Sequence, residues 1–567
     1  MAEATTHTAR YREIATVLRR HSLGFMVGLL GIGRLVPFRR GNGGRNGART
    51  RAIDTGTAAQ SNGETSPEHL RLALEELGPT FIKLGQLLST RSDLLPPAYV
   101  EELAKLQDAA PPVPVADIRA VIRRELGSEP EELFATFDDR PLASASIGQA
   151  HAATLDDGTP VVVKVRRPGA VARVLEDLEI LQNLAARASR RWGPARDIDA
   201  AGVVDEFAQT LRAELDYLQE GRNAERFAED FAHEADVVIP RVFWEHTTSR
   251  VLTLERMRGM NVGDAVALDA AGVDRKRVAR RGAEIVLKMT FEDRFFHADL
   301  HPGNLFIHDD GTIALIDFGM VGAIGEELRG HLSTLFVALV RGNPAMLAGA
   351  LTSLSVAGSS VDRELLREDL RVFLAKYRLR SLRETPFARM IADLFAILRA
   401  NRLHLPREMA LLFKALLLIE GLALRLDPEF RLGESLEPYA ERLARERMSA
   451  SAIARRMARA SADLGELALE APGVLRRLFD AADGSGFEVH LRAAELEPLV
   501  ARTERIGNRL VAGMISAALI SGVGGIVTSG RRFRKWEGTL LGTGLGVLGT
   551  LGGYLAYTSA RRRRRPR

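Results

Sequence analysis

Apolar positions fall into short runs of strand length and longer runs with helical spacing through the first 440 residues of the chain. PVVVKV, Pro160 to Val165, reads as a valine-rich strand entered through the turn Asp156-Asp157-Gly158. Leu305 to Ile307 and Thr312 to Ile316 read as two short strands joined at Asp309-Asp310-Gly311, a hairpin signal. Ser249 to Val262 supplies another apolar strand, ending at Glu255-Arg256-Met257 before Gly259. Beyond Asp317-Phe318-Gly319 the pattern turns helical, with a break at Asn343-Pro344. Arg407 to Leu426 is strongly apolar, but Lys414, Glu420 and Arg425 sit inside it, so a buried helix is expected there. Two uncharged apolar runs follow, Leu510 to Gly530 and Gly538 to Ala560. Each is long enough for a hydrocarbon core of about 30 Å at about 1.5 Å per residue, which predicts a transmembrane hairpin.

Chemistry-bearing residues stand on these elements. Asp299 and Asn304 form D-x-x-x-x-N and Asp317 opens D-F-G, the spacing used by kinases. The hairpin between them folds Asp317 back beside the first pair. A triphosphate is approached only after divalent cations neutralise it, and hard cations prefer carboxylate and amide oxygens. Asp317 and Asn304 therefore fit as magnesium ligands, which leaves Asp299 to orient or accept a proton from an attacking hydroxyl or water. His297 and His301 flank Asp299, but with carboxylates at hand and no cysteine in the chain the set favours magnesium over zinc. Upstream, Lys164 stands inside the valine strand, where an ammonium needs a partner. The loop before it, PLASASIGQAH, places Ala143, Ser144, Ala145 and Ser146 where a glycine-rich phosphate loop would have glycines, and only Gly148 remains. Those side chains restrict how closely the backbone approaches a nucleotide.

With these residues in place, the chain resembles the UbiB family of atypical, protein-kinase-like proteins linked to ubiquinone and other isoprenoid-lipid metabolism, over roughly residues 70 to 440. Its most specific mark is K-x-G-Q at Lys83, Leu84, Gly85 and Gln86, within GPTFIKLGQLLSTRSDLLPPAYVEELAKLQD. The second, ELDYLQE, supplies Glu214, Asp216 and Glu220. On one continuous helix Asp216 and Glu220 would share a face, and Glu214 would not share it squarely with Asp216. The resemblance implies an α+β, bilobal protein-kinase-like fold with an added N-terminal helical lid. It implies that Glu220 pairs with Lys164, which steadies the phosphates, and that Lys83 and Gln86 reach toward Glu214 and Asp216 over the place a protein substrate would occupy. The implied activity is magnesium-dependent ATP hydrolysis, with ATP or ADP bound, in support of quinone or lipid handling; the lid argues against phosphorylation of other proteins. Adenine would meet backbone at the linker near Glu255 and Met257.

The expected division is an N-terminal helix and linker over 1–66, the lid over 67–135, a small lobe over 136–258, a large lobe over 259–440, a charged helical connector over 441–509, the hairpin over 510–560 and a basic tail over 561–567. Net charge is only +5, yet basic residues gather at the ends, as in RRRRRPR from Arg561 to Arg567. That distribution points to a membrane surface and membrane lipid and not to nucleic acid, while the resemblance to the UbiB family implies quinone precursors and the enzymes that process them as partners. Positive-inside bias would place the kinase-like part on the cytoplasmic side of the inner membrane. The first helix has arginines interleaved with apolar residues, which suits a lipid interface or a docking partner equally. Zero cysteines remove disulfides and thiolate metal sites. Three readings stay open: a coupled ATPase, a phosphotransferase acting on a small-molecule or lipid hydroxyl, and a nucleotide-binding scaffold without turnover.

Overall fold

Alternation along the valine strand decides the small lobe. Val161, Val163 and Val165 are fully buried and pack with Ile118, Val121 and Ile122 of the helix Val115–Leu126, so the intervening Lys164 faces the opposite side of the sheet. The computed structural model describes residues 2–30, 67–106, 110–355, 361–378 and 386–448. Among them ten strands follow in chain order: β1 Thr136–Ser144, β2 Gly148–Thr154, β3 Pro160–Arg166, β4 Val237–Val238, β5 Val251–Glu255, β6 Met260–Asn261, β7 Phe295–His297, β8 Leu305–Ile307, β9 Ile313–Leu315 and β10 Val321–Ala323. The small-lobe sheet is antiparallel in the order β1-β2-β3-β5, and its register sets Lys164 opposite Ala150 on one side and Leu252 on the other.

The large lobe carries two small sheets, β4-β9-β8-β6 and β10-β7, over a helical core. The hairpin β8-β9 closes as its turn chemistry demands. Gly311 has φ 86°, the Asp310 carboxylate accepts from Thr312 N–H, and the His308 carbonyl accepts from Gly311 N–H. The break at Asn343-Pro344 is also explained locally. Gly342 ends the helix Glu326–Arg341 in the left-handed region, Asn343 caps the next helix through Met346 N–H, and Pro344 occupies its first turn.

A third cluster of helices covers one side. The helices Ala2–Arg20, Pro67–Leu77 and Pro79–Ser89 pack on two long helices, Ala170–Arg191 and Ala200–Glu214, that intervene between β3 and the helix Tyr217–Asp230. The first helix docks within its own chain: Arg10 Nε donates to the buried Asp177 carboxylate at 2.7 Å and its guanidinium reaches the Leu77 carbonyl. Arg91 ties this cluster to the large lobe. Its guanidinium donates twice to Asp93 and also to Glu206 and the Leu405 carbonyl, while Asp93 accepts from Leu405 N–H.

Two expectations are corrected. Among the described residues no helix is long and apolar enough to cross a membrane, so the fold class with a C-terminal transmembrane hairpin and the inner-membrane location drawn from it are not supported. What remains is a kinase-like α+β fold. The apolar helix Arg407–Leu426 packs into the large-lobe core instead, where Lys414 and Glu420 find partners, while Arg425 faces outward. The runs at 510–530 and 538–560 lie outside the described residues, as do the linker at 41–50, residues 449–509 and the tail. The second correction concerns ELDYLQE, which is not one helix. Ala200–Glu214 ends at Glu214, and Asp216 is the N-cap of Tyr217–Asp230, its carboxylate accepting from Leu218 N–H. No shared helical face therefore relates Glu214, Asp216 and Glu220.

Arg91→Met would strand the buried Asp93 carboxylate and is expected to lower the unfolding free energy by about 3 kcal/mol, read from urea denaturation. Arg123→Met, in the exposed pair with Glu129, should leave the urea midpoint unmoved.

Candidate nucleotide and phosphate site

Lys164 leaves the buried face of β3 and meets two carboxylates. Its Nζ donates to Glu220 Oε1 at 2.5 Å and lies 3.5 Å from Asp317 Oδ1. Glu220 comes from the first turn of Tyr217–Asp230, and Asp317 from the turn after β9. These side chains line a cavity of about 210 Å³ together with Lys83, Ala143, Ala145, Gly148, Glu214, Asp216, Tyr217 and Asp299. Burial pushes the Lys164 ammonium down, but Asp317 and Glu220 outweigh it and hold the group charged above its ordinary range. Lys164 in turn draws the Asp317 carboxyl down to about 2 against its own desolvation. Burial pushes Glu220 up, with the Asp317 charge adding to the rise and Lys164 opposing it.

Asp317 sits at φ 65°, a left-handed conformation uncommon for a residue with a side chain. Its neighbours pin it there. Ile316 N–H donates to the Asn304 carbonyl, His297 Nε2 donates to the Ile316 carbonyl, and Asn223 Nδ2 donates to the Phe318 carbonyl. His297 is thus a buried spacer: Nδ1 accepts from Asp299 N–H, and burial lowers the pKa of the ring. His301 Nδ1 accepts from Gly303 N–H within the same loop. Neither histidine is free to ligate a metal through those nitrogens.

Asn304 is buried behind the cavity wall, and its Nδ2 donates to the Asp299 carbonyl, which leaves Oδ1 as its oxygen for a cation. No group of three or more His, Cys, Asp or Glu able to hold a metal occurs among the described residues. Asp317 and Asn304 alone would therefore leave most of a cation's coordination to phosphate and water, the manner in which magnesium is held. The residues fit that ion.

The lid residues separate. Lys83 Nζ pairs with Glu214 Oε2 at 3.2 Å beside the cavity. Gln86 lies one helical turn on and donates to the Leu106 carbonyl, outside the cavity lining. In the alanine-rich loop Ala145 N–H donates to the Gly148 carbonyl, and Arg167 Nε holds the Ala145 carbonyl at 2.7 Å while its guanidinium reaches Ser144 Oγ. Ala143, Ala145 and Gly148 line the cavity, whereas Ser144 and Ser146 do not. Glu255 and Met257 also lie outside the lining; Glu255 is held in the β3-β5 ladder. Two further residues at the site were not read as site residues from the sequence. Lys414 Nζ donates to Asp299 Oδ1 at 3.0 Å, and Tyr217 packs its hydroxyl against Gly148. The signal for Lys414 was a cation inside an otherwise apolar helix; Tyr217 left none.

A methyl group at Gly148 would fall 2.0 Å from the Tyr217 hydroxyl oxygen. Gly148→Ala is expected to cost about 2 kcal/mol of stability by thermal denaturation. The loss should be smaller in a Tyr217→Phe background, and equal losses in both backgrounds would contradict this packing.

Residues 105–350 match the ABC1 atypical kinase-like domain and residues 370–431 the UbiB helical domain. The "Probable protein kinase UbiB" of Xanthomonas campestris pv. campestris (strain B100) is 35% identical over 474 residues, covering 82% of this chain and 84% of that protein. The protein of the same name from Marinobacter nauticus is 36% identical over 68% of this chain and 71% of its own. "Uncharacterized protein sll1770" of Synechocystis is 34% identical over 80% and 78%. Among solved structures, the Rv3197–erythromycin complex from Mycobacterium tuberculosis aligns with a TM-score of 0.45 and 26% identity, over 64% of this chain and 93% of that one. With a lysine and two acids at the heart of an atypical kinase-like domain, and relatives this similar along most of their length, the chain belongs to the UbiB family of kinase-like proteins.

Proposed function

We propose that the protein is an atypical kinase-like ATPase that takes magnesium–ATP into the cavity around Lys164 and whose hydrolysis of ATP supports the synthesis of ubiquinone or a related isoprenoid quinone. The observation that carries this reading is the meeting of Lys164, Glu220, Asp299 and Asp317 on one cavity, closed on its lid side by the Lys83–Glu214 pair. Lys164 would steady the phosphates, as its pairing with Glu220 suits. Asp317 and Asn304 would hold magnesium, which when bound neutralises the β- and γ-phosphate oxygens. Asp299 lines the cavity and stays ionised because Lys414 and His301 outweigh its desolvation, so it can take the proton of an attacking water.

Hydrolysis is favoured over protein phosphorylation by the same ion pair. Lys83 and Glu214 pair on the cavity wall; on this reading a peptide hydroxyl would have to pass them, and water needs far less room. The link to quinone synthesis rests on membership of the UbiB family. It makes phenolic, isoprenylated quinone precursors and the enzymes that process them the proposed partners.

Purified protein should release phosphate from ATP only with magnesium, and more of it with a phenolic quinone-precursor mimic. Lys164→Ala and Asp317→Asn should each lower the rate at least about 100-fold. Wild-type turnover in Asp317→Asn would overturn the placing of the cation.

A further inference from the structure

Lys414 reaches the catalytic centre from a part of the chain that carries none of the kinase-like motifs. It stands on the helix Arg407–Leu426, among the buried Leu412, Phe413, Ala415 and Leu416. A charge in such a setting is costly unless it is paired. Its Nζ donates to Asp299 Oδ1 at 3.0 Å and lies 3.9 Å from Met320 Sδ. The helix that presents it is itself anchored. Glu420, nearly two turns on, accepts from Phe387 N–H and Ala388 N–H and so caps the neighbouring helix Phe387–Ala400. Ile419 packs closely on Gly282 of the helix Arg275–Phe291, where a Cβ would lie 3.3 Å from its Cδ1. Lys414 therefore has a fixed origin.

Two aspartates face the cavity, and each has its own lysine. Asp317 has Lys164 at 3.5 Å and Asp299 has Lys414 at 3.0 Å. Without a partner, Asp299 would be drawn to any cation held by Asp317 and Asn304, or pushed away by the phosphates. The ammonium occupies Oδ1 and leaves Oδ2, whose other neighbour is His301 Nε2 at 3.8 Å. Lys414 does not line the cavity, whereas Asp299 does, so it acts through the carboxylate and not on the nucleotide.

We propose that Lys414 is a positioning residue: it pins Oδ1 of Asp299, keeps that carboxylate apart from the Asp317–Asn304 pair, and presents Oδ2 to the attacking O–H. This rests on the ATPase reading above. In that reaction the attacking oxygen bonds to the γ-phosphorus, the bond from that phosphorus to the bridging oxygen breaks, ADP leaves with the electron pair, and the attacker's proton goes to Oδ2. Because Lys414 lies within the stretch matched by the UbiB helical domain, that domain supplies part of the catalytic centre.

The test compares Lys414→Met, Lys414→Arg, Asp299→Asn and the double variant Asp299→Asn/Lys414→Met in the full chain, with magnesium–ATP and a fluorescent ATP analogue. Lys414→Met should lower kcat about 50-fold, with KM and analogue affinity changed less than about 3-fold. Lys414→Arg should recover at least about tenfold of that loss, and Lys414→Met should cost less than about twofold in the Asp299→Asn background. An unchanged kcat in Lys414→Met, a parallel loss of nucleotide affinity and thermal stability, or an equal loss in the Asp299→Asn background would overturn the proposal alone. No phosphate release by the wild type would overturn the ATPase reading, and this role with it.

Discussion

Lys164 stands between two carboxylates in a setting that would otherwise drive its charge out, and much of the structure serves to hold the three groups together. Each comes from a different element: the lysine from a strand, Glu220 from a helix, Asp317 from a turn of the other lobe. The cluster is stable only while all three backbones are fixed. Valines facing the helix Val115–Leu126 fix the first, the Asp216 cap fixes the start of the second, and bonds to Asn304, His297 and Asn223 fix the third in a conformation it would not choose alone. An excess of negative charge at such a centre suits a cation, and a cation suits a triphosphate.

Local chemistry was legible in the sequence where a short-range rule governs. Period-two valines predict β3 and turn Lys164 away from the core, Asp310-Gly311 predicts the β8-β9 turn, and Asn343-Pro344 predicts a helix boundary. The reading of ELDYLQE as one helix failed because an aspartate can either ride inside a helix or cap the next one. Only the Leu218 N–H bond decides between them. Lys414 shows the larger gap. Its distance from Asp299 along the chain is 115 residues, and no spacing rule connects an apolar helix to a loop so far upstream. The charges inside that helix spoke correctly against a spanning segment, but their partners were set by tertiary packing.

Elements from both ends of the kinase-like region reach the residues that line the cavity. The lid helix Pro79–Ser89 brings Lys83 from the N-terminal side, and Arg407–Leu426 brings Lys414 from the C-terminal side. Arg91 and Asp93 bind those two regions to each other at Leu405. The alanine-rich loop, held down by Arg167, lines the cavity through Ala143 and Ala145. In the proposed reaction a lid-side wall made by Lys83 and Glu214 would favour a small acceptor such as water over a protein side chain.

The most direct test of that claim is the fate of the γ-phosphoryl group when protein and magnesium–ATP are incubated in water labelled with oxygen-18 and the products are weighed by mass spectrometry. Hydrolysis at this site should give free phosphate carrying one solvent oxygen. Phosphate found on the protein chain or on an added phenol, with none carrying solvent oxygen, would contradict it.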